Sequence, residues 1–528
     1  MLIKTVTDII TTNSAGQTIE SLPVREVTTG ETDIVGRPVD VPTVSESPVG
    51  APARFVAGKS VLNSAGQLVD TLPVKFGPVS APSSAFDFLK NTFGVSVYKK
   101  NGGVISHDYD DTKSIPVATG VTYYVKPGGN DNAAGTSPAT AFATLARAMN
   151  LVMFGGSNLQ TQVHKIIVDT SAGDIIYTGT PEGLQALTCR KSVVIQPTGP
   201  GRVISATTVG GVAAFTWTVT ANPPIYSAAC SAAPGYVIDL SRIVAGSPAN
   251  KPEYDPLTLG TSATTLTAGQ YFYDLATTTL YVRTADGRAP DNKIIPTSTT
   301  ANAFVWGPQL SGQVFWAKGV DFVGGYQMQV DYQFMADITG KAWLNDCTFQ
   351  GSGLDGFVMT RQGSALLSKC GSYNTTGDGF SAYAGAGGNT LSVSWKAELD
   401  CRARRNGNSA SLANNASTGH DASITAVVNA DYDLSQDRLV HYVYAALAWI
   451  IGGTLGRSAR ATGSTSRTLM INQGASGRVP SIWVDSVTFN GHSEIDVEAA
   501  GYGQILFKGS IPAGLTTTTN TNGVIGTY

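Results

Sequence analysis

The 528-residue chain concentrates its chemically useful side chains between Asp355 and Asp437. Asp355 and Asp378 precede Gly-Phe in two copies of one motif, 23 residues apart. Glu398, Asp400, Arg402, Arg404 and Arg405 follow within one stretch, then His420-Asp421, then Asp431, Asp433 and Asp437. Paired carboxyl groups are what glycosidic-bond hydrolysis requires. One protonates the leaving oxygen; the other attacks at a separation of roughly 5 Å, or activates water at roughly 6.5–9.5 Å. Asp355, Asp378, Glu398, Asp400 and Asp421 are therefore the candidate catalytic carboxylates. Arg402, His420, Tyr373 and Tyr383 are the candidate substrate-binding residues, the tyrosines by stacking on sugar rings. His420 also titrates near neutral pH, as a lyase base must.

Each candidate has a purely structural alternative. Asp before Gly caps a turn through its own backbone. In Trp395–Arg404, strict alternation puts Glu398, Asp400 and Arg402 on one outward face, opposite Ala397, Leu399, Cys401 and Ala403. A salt bridge between neighbouring strands is then the alternative to a glycan groove. His420 can serve as a hydrogen-bonded turn residue, and Tyr373, Tyr383, Tyr432 and Tyr442 as contacts between subunits.

The elements that must position these residues are read from repeats. Trp316-x3-Val320-Asp321-Phe322, Trp343-x3-Cys347-Thr348-Phe349 and Trp483-x3-Val487-Thr488-Phe489 are three copies of one pattern. Cys347 and Asp355-Gly356-Phe357 map onto Cys370 and Asp378-Gly379-Phe380 at an offset of 23, and Cys401 extends the cysteine series past an insertion around Ala384 to Asn389. A period of roughly 20–30 residues predicts a solenoid, in which like residues stack from turn to turn. Composition agrees. Gly is abundant at 59 residues and charged residues are only 14%, which suits long β structure better than amphipathic helices.

A second repeat lies at the N-terminus, where Asn13–Gln17 and Leu22-Pro23-Val24 recur 50 residues later as Asn63–Gln67 and Leu72-Pro73-Val74. Each copy reads as a short hairpin, too small to fold without a partner. The expected organisation is a hairpin region over 1–82, a linker or neck over 83–121, a solenoid body over 122–512 and a tail over 513–528. In the neck, Phe86, Leu89 and Phe93 are spaced for a short helix, which would suit a three-fold junction. Within the body, 200–300 is irregular and reads as long loops or a small β insertion.

Other classes are disfavoured. Net charge is -3 with no Lys/Arg run, so no nucleic-acid footprint is present. The most apolar stretch, Val443 to Ile451, is too short to span a bilayer, and no membrane insertion is expected. The N-terminal residues lack a secretory h-region. Five cysteines without a CxxC pair support neither a zinc site nor a disulfide framework, so buried thiols are expected and no metal or cofactor.

Val121 to Asn150, VTYYVKPGGNDNAAGTSPATAFATLARAMN, is a strand, a Gly/Asn/Asp turn and an amphipathic helix with Phe142, Leu145, Ala146 and Met149 on its apolar side. It resembles the entry module of right-handed parallel β-helix proteins, where the helix caps the open end of the coil. With the N-terminal hairpins and the low charge, the architecture resembles bacteriophage tailspikes and tail fibres. Ser417–Asp421 resembles a segment of phage β-helix proteins, without indicating a chemical role. The resemblance implies an all-β chain, a right-handed parallel β-helix with an N-terminal capping helix, assembled as a homotrimer. It further implies a virion protein made in the host cytoplasm. Its N-terminus would bind phage tail or baseplate proteins, and its body host-surface polysaccharide, capsule or lipopolysaccharide, with or without cleaving it.

Overall fold

The computed structural model describes residues 89–100, 104–154, 162–331, 340–361, 363–384, 393–407, 414–459, 465–472, 479–520 and 522–528, with the paired strands of the first 72 residues. The chain divides into two units, Met1–Ala81 with Tyr528, and Pro82–Thr527. In the first, Thr11–Thr12 pairs antiparallel with Thr18–Ile19, and Lys59–Leu62 with Leu68–Leu72. Antiparallel strand pairs thus flank both copies of the repeat, which recurs at an offset of 50 residues. Thr5–Val6 pairs with Val24–Arg25.

The second unit is a parallel β-helix. Among the described residues, three parallel sheets of 12, 9 and 10 strands run its length. One turn contributes one strand to each, as in Lys341–Asn345, Thr348–Gln350 and Phe357–Thr360. The next turn places Gly363–Ser368, Gly371–Tyr373 and Phe380–Tyr383 directly against them. The sequence repeats are these registers. Trp316 lies on Trp343, and Trp343 reaches Trp483 through Leu366, Ala397, Ala426 and Trp449.

Stacking of like residues builds the core. Phe322 and Phe349 stack at 5.7 Å with planes 7° apart. Phe357 and Phe380 are in register, and both are sealed from solvent. Each buried Phe contributes about 1.5–3 kcal/mol by removing apolar surface from water. Cys347, Cys370 and Cys401 are free, fully buried thiols that line one wall. Helix Leu145–Phe154 follows the first strand, Thr122–Val125, and buries Leu145, Ala146, Ala148, Met149 and Val152, most of them in this same core.

Corners decide which side chains face inward. Between the first and second sheets, Asp346, Lys369, Asp400, Asn429 and Ser486 all have positive φ, between 51° and 57°. A left-handed residue interrupts the two-residue alternation of a strand. The pattern through Trp395–Arg404 is therefore not continuous. Lys396 and Glu398 are wholly buried and bond to lumen-lining Ser417 and Tyr432, whereas Arg402 and Arg404 face outward after the corner. The expectation that Glu398 and Arg402 share a face fails for this reason.

The described part of 83–121 packs on the β-helix of the second unit. Leu89–Phe93 is a single helical turn, and Phe86 lies outside the described residues. Lys99 and residues 104–119 run back along the body, turn by turn. Lys99 reaches Ser486, the Ile105 carbonyl accepts from Asn429, and His107 meets Asp400. Tyr109 reaches Asn345, Ser114 meets Trp316, and Thr119 donates to the Val163 carbonyl.

The 200–300 region is a β insertion. It holds a five-stranded sheet and a three-stranded sheet, Val237–Ile243 with Tyr254–Pro256 and Ile294–Pro296. Ile238, Leu240, Tyr254 and Ile295 pack on Ile204, Ala206 and Val323 of the second sheet. The insertion thereby covers part of the outer face of the second sheet.

Candidate functional site

The third sheet keeps a polar outer face. Asp331, Thr360, Tyr383 and His420 form one row of paired neighbours on four successive turns. All four are partly exposed. The Thr360 hydroxyl donates to Asp331 Oδ1 at 2.8 Å. Tyr383 and His420 stack with ring centroids 4.2 Å apart and planes 7° apart. The backbone of adjacent turns, about 4.8 Å apart, sets that contact.

Behind this row lies a second, at the starts of the same strands. Asp355, Asp378, Asn415, Arg438 and Arg467 each stand two residues ahead of the registered Phe357, Phe380, Ser417, Val440 and Leu469. Asp355 Oδ1 accepts the Asp378 amide at 2.9 Å. Asp378 Oδ1 accepts both the amide and the side-chain nitrogen of Asn415 at 2.8 Å. Further along, Asp437 faces Arg438 at 3.1 Å and Arg467 at 3.6 Å, and Glu498 pairs with Arg467.

Electrostatics divide this row in two. Burial, followed by repulsion from Asp378, holds the Asp355 carboxyl well above its usual range. Burial also raises Asp378, against hydrogen bonds that favour its ionised form. Burial of both, with repulsion between them, thus displaces the two carboxyls toward the protonated form. Burial, then the charge of Lys396, lowers His420 to about 4, so its imidazole is neutral. Its Nε2 is buried without a hydrogen-bond partner. Burial and then the two aspartates raise the Tyr383 hydroxyl. The arrangement offers two carboxyls with raised pKa values, a neutral imidazole and an aromatic surface.

The nine candidate residues fall in four places. Asp355 and Asp378 come together on adjacent turns, and Tyr383 and His420 stack beside them. Asp421 follows His420 at a corner with φ 59° and is half-buried; its carbonyl accepts the Ala445 amide. Asp400 stands at the opposite corner, 3.0 Å from His107. Burial would raise its carboxyl, but the bond and charge of His107 outweigh burial and hold it low. Glu398 lies inside the solenoid, out of reach of any polymer. Tyr373 is fully buried on the second sheet, its hydroxyl donating to the Lys251 carbonyl of the insertion, so it offers no stacking surface. Arg402 is 3.3 Å from Asp431 and donates to the Gly246 carbonyl at 2.8 Å. Tyr432 and Tyr442 also line the lumen rather than the outside.

Asp331, Thr360, Asn415, Arg438 and Arg467 are absent from the sequence-based candidates. Their signal is positional: each falls at a fixed offset from a lumen-facing residue of the third sheet. Unequal turn lengths hide it, since Asn415 follows Asp378 by 37 residues and Asp378 follows Asp355 by 23. Among the described residues, no group of three or more His, Cys, Asp or Glu is arranged to hold a metal, and no helix is long and apolar enough to cross a membrane.

No family model matches the chain, and no curated protein does. Among solved structures, it is similar to a glycoside hydrolase at 9% identity and a TM-score of 0.40, over 77% of this chain and 96% of that one. It is also similar to XylC in complex with xylose, at 8% identity and 0.35, over 76% and 70%. A third likeness is to pectate lyase Pel9A, at 12% identity and 0.29, over 71% and 79%. At these values the likenesses assign neither substrate nor residues to this chain.

Proposed function

We propose that this chain is the spike or fibre subunit of a bacteriophage tail, attaching the virion to host-surface polysaccharide through the outer face of its third sheet. The observation that carries the reading is the half-exposed row Asp331–Thr360–Tyr383–His420, backed by the raised Asp355–Asp378 pair. Successive turns carry a carboxylate, a hydroxyl and two stacked rings in one row. That geometry suits an extended polymer better than a compact metabolite, which would need a deep pocket. The N-terminal hairpins would join the tail, and the chain would assemble as a homotrimer, sedimenting at three times the 54.9 kDa monomer mass.

Cleavage would use the carboxyls as acid and nucleophile or base, since one turn of separation approaches the retaining distance. One observation favours adhesion without cleavage. Asp355 and Asp378 are only 3% and 5% exposed, and Asn415 holds Asp378. The test is a panel of purified capsular and lipopolysaccharide glycans, scored for retention and for release of shortened chains. Retention with release establishes a depolymerase, and retention alone establishes an adhesin. No retention across glycans from hosts the phage infects rejects the reading in favour of a structural tail subunit.

A further inference from the structure

Lys396 and Glu398 are fully buried inside the solenoid, amid a core built mainly of aliphatic and aromatic side chains and cysteines. Lys396 extends from the first sheet across the lumen to the third. Its Nζ donates to the Phe380 carbonyl at 2.8 Å and the Thr418 carbonyl at 3.1 Å, and lies 2.8 Å from Glu398 Oε1. With Ser417 Oγ at 3.4 Å, these acceptors occupy all three N–H groups of the ammonium. Glu398 Oε1 also accepts the Ser417 hydroxyl at 2.8 Å, and its other oxygen accepts the hydroxyl of Tyr432, on the second sheet. Tyr442 closes the network, 3.2 Å from Ser417 Oγ. All three walls of the helix meet at one ion pair.

Such a pair is a poor way to gain stability. Each buried ion costs several kcal/mol of desolvation, and apolar residues of similar volume are often as stable. The direction of the ammonium is informative. The two carbonyls it holds belong to Phe380–Tyr383 and Ser417–His420, the strands that carry Tyr383 and His420 on their opposite face. Asp378 stands two residues before Phe380 on the same turn.

We propose that Lys396, oriented by Glu398, is a positioning residue. From inside the solenoid it fixes the carbonyls of Phe380 and Thr418 and thereby aligns Tyr383 over His420 on the outer face. Its charge acts in the same sense. After burial, Lys396 is the cause that lowers His420, and it also opposes the upward shifts of Asp355 and Asp378. The groups facing His420 are Tyr383 on its ring, Lys396 beneath it, His441 on the next strand and Asp421 at the corner. The inference deepens the glycan reading and rests on it only for its purpose, so it is tested without glycan.

The chain has five histidines, so 13C-histidine labelling of the full protein gives few signals, each assignable by a His→Gln variant. In the wild type, His420 should show a ring-current displacement from Tyr383 and titrate near 4. A signal titrating at 6.5 without displacement overturns the proposal with no variant needed. Lys396→Met/Glu398→Met removes both charges together. It should fold with a melting temperature near that of the wild type, lose at least half the displacement, and raise the His420 pKa by one unit or more. A folded double variant with an unchanged His420 signal overturns the proposal. Glycan retention is then measured on the same sample. Retention unaffected by a displaced His420 leaves the positioning intact and counts against the glycan reading alone.

Discussion

The outer faces of the second and third sheets carry similar residues and use them differently. On the second, Arg402 pairs with Asp431 and Arg404 with Asp433, while Arg202 pairs with the fully buried Asp321. These charges end in ion pairs or in backbone carbonyls of the insertion, and Tyr373 is sealed beneath it. On the third, Tyr383 and His420 stack in partial exposure, His420 Nε2 has no partner, and two aspartates repel each other behind them. Both faces satisfy the same strand geometry. What separates them is cover: a docked subdomain turns polar residues into structural bonds, and its absence leaves strained electrostatics facing outward.

The contrast can be broken experimentally. Arg202→Ala removes the cation paired with buried Asp321 and leaves it only the hydroxyls of Tyr254 and Thr348, a broken buried ion pair costing about 3–5 kcal/mol. Thermal unfolding should shift down strongly, while the fraction that remains folded binds glycan normally. A marginal change in unfolding would mean the insertion is not held by this pair.

Acid should weaken the third sheet through His420. Its folded pKa of about 4 lies below the ordinary 6.5, so the unfolded chain binds the proton first as pH falls. Stability from this group is intact above 6.5 and lost progressively down to 4, by up to about 3 kcal/mol. His420→Asn should flatten the profile in that window, as read from denaturant unfolding at several pH values. An unchanged slope would show that the imidazole is solvated.

The aspartates work in the opposite sense. Their raised pKa values make the pair favourable at low pH and progressively unfavourable as pH rises above their ordinary range. Asp355→Asn keeps an acceptor for the Asp378 amide and removes the repulsion. It should stabilise by about 1 kcal/mol at pH 7 and by nothing measurable at pH 4. Equal effects at both pH values would mean that Asp378 does not raise the Asp355 carboxyl.

The solenoid was largely legible in the sequence, because its registers repeat visible side chains: Trp316 on Trp343, Phe357 on Phe380, and the cysteines on one wall. The site was legible in part. Asp355 with Asp378 and Tyr383 with His420 follow from equivalent positions in the repeat. Glu398 was assigned to the wrong face, since strand alternation says nothing about the left-handed corner at Asp400 that ends it. Tyr373 was hidden by tertiary docking, as the residues that cover it lie more than a hundred positions away. The Asn415–Arg438–Arg467 continuation was concealed by turns of unequal length.

The central claim is that the third sheet, and not the second, meets glycan. Its most direct test compares Tyr383→Ala with Arg402→Ala, both confirmed folded, for retention on the wild type's best-bound polysaccharide. The account predicts a loss of about three- to tenfold for Tyr383→Ala, in line with an aromatic stacking contribution of about 0.5–1.5 kcal/mol, and no measurable change for Arg402→Ala. Loss confined to Arg402→Ala, with Tyr383→Ala binding as the wild type does, would contradict it.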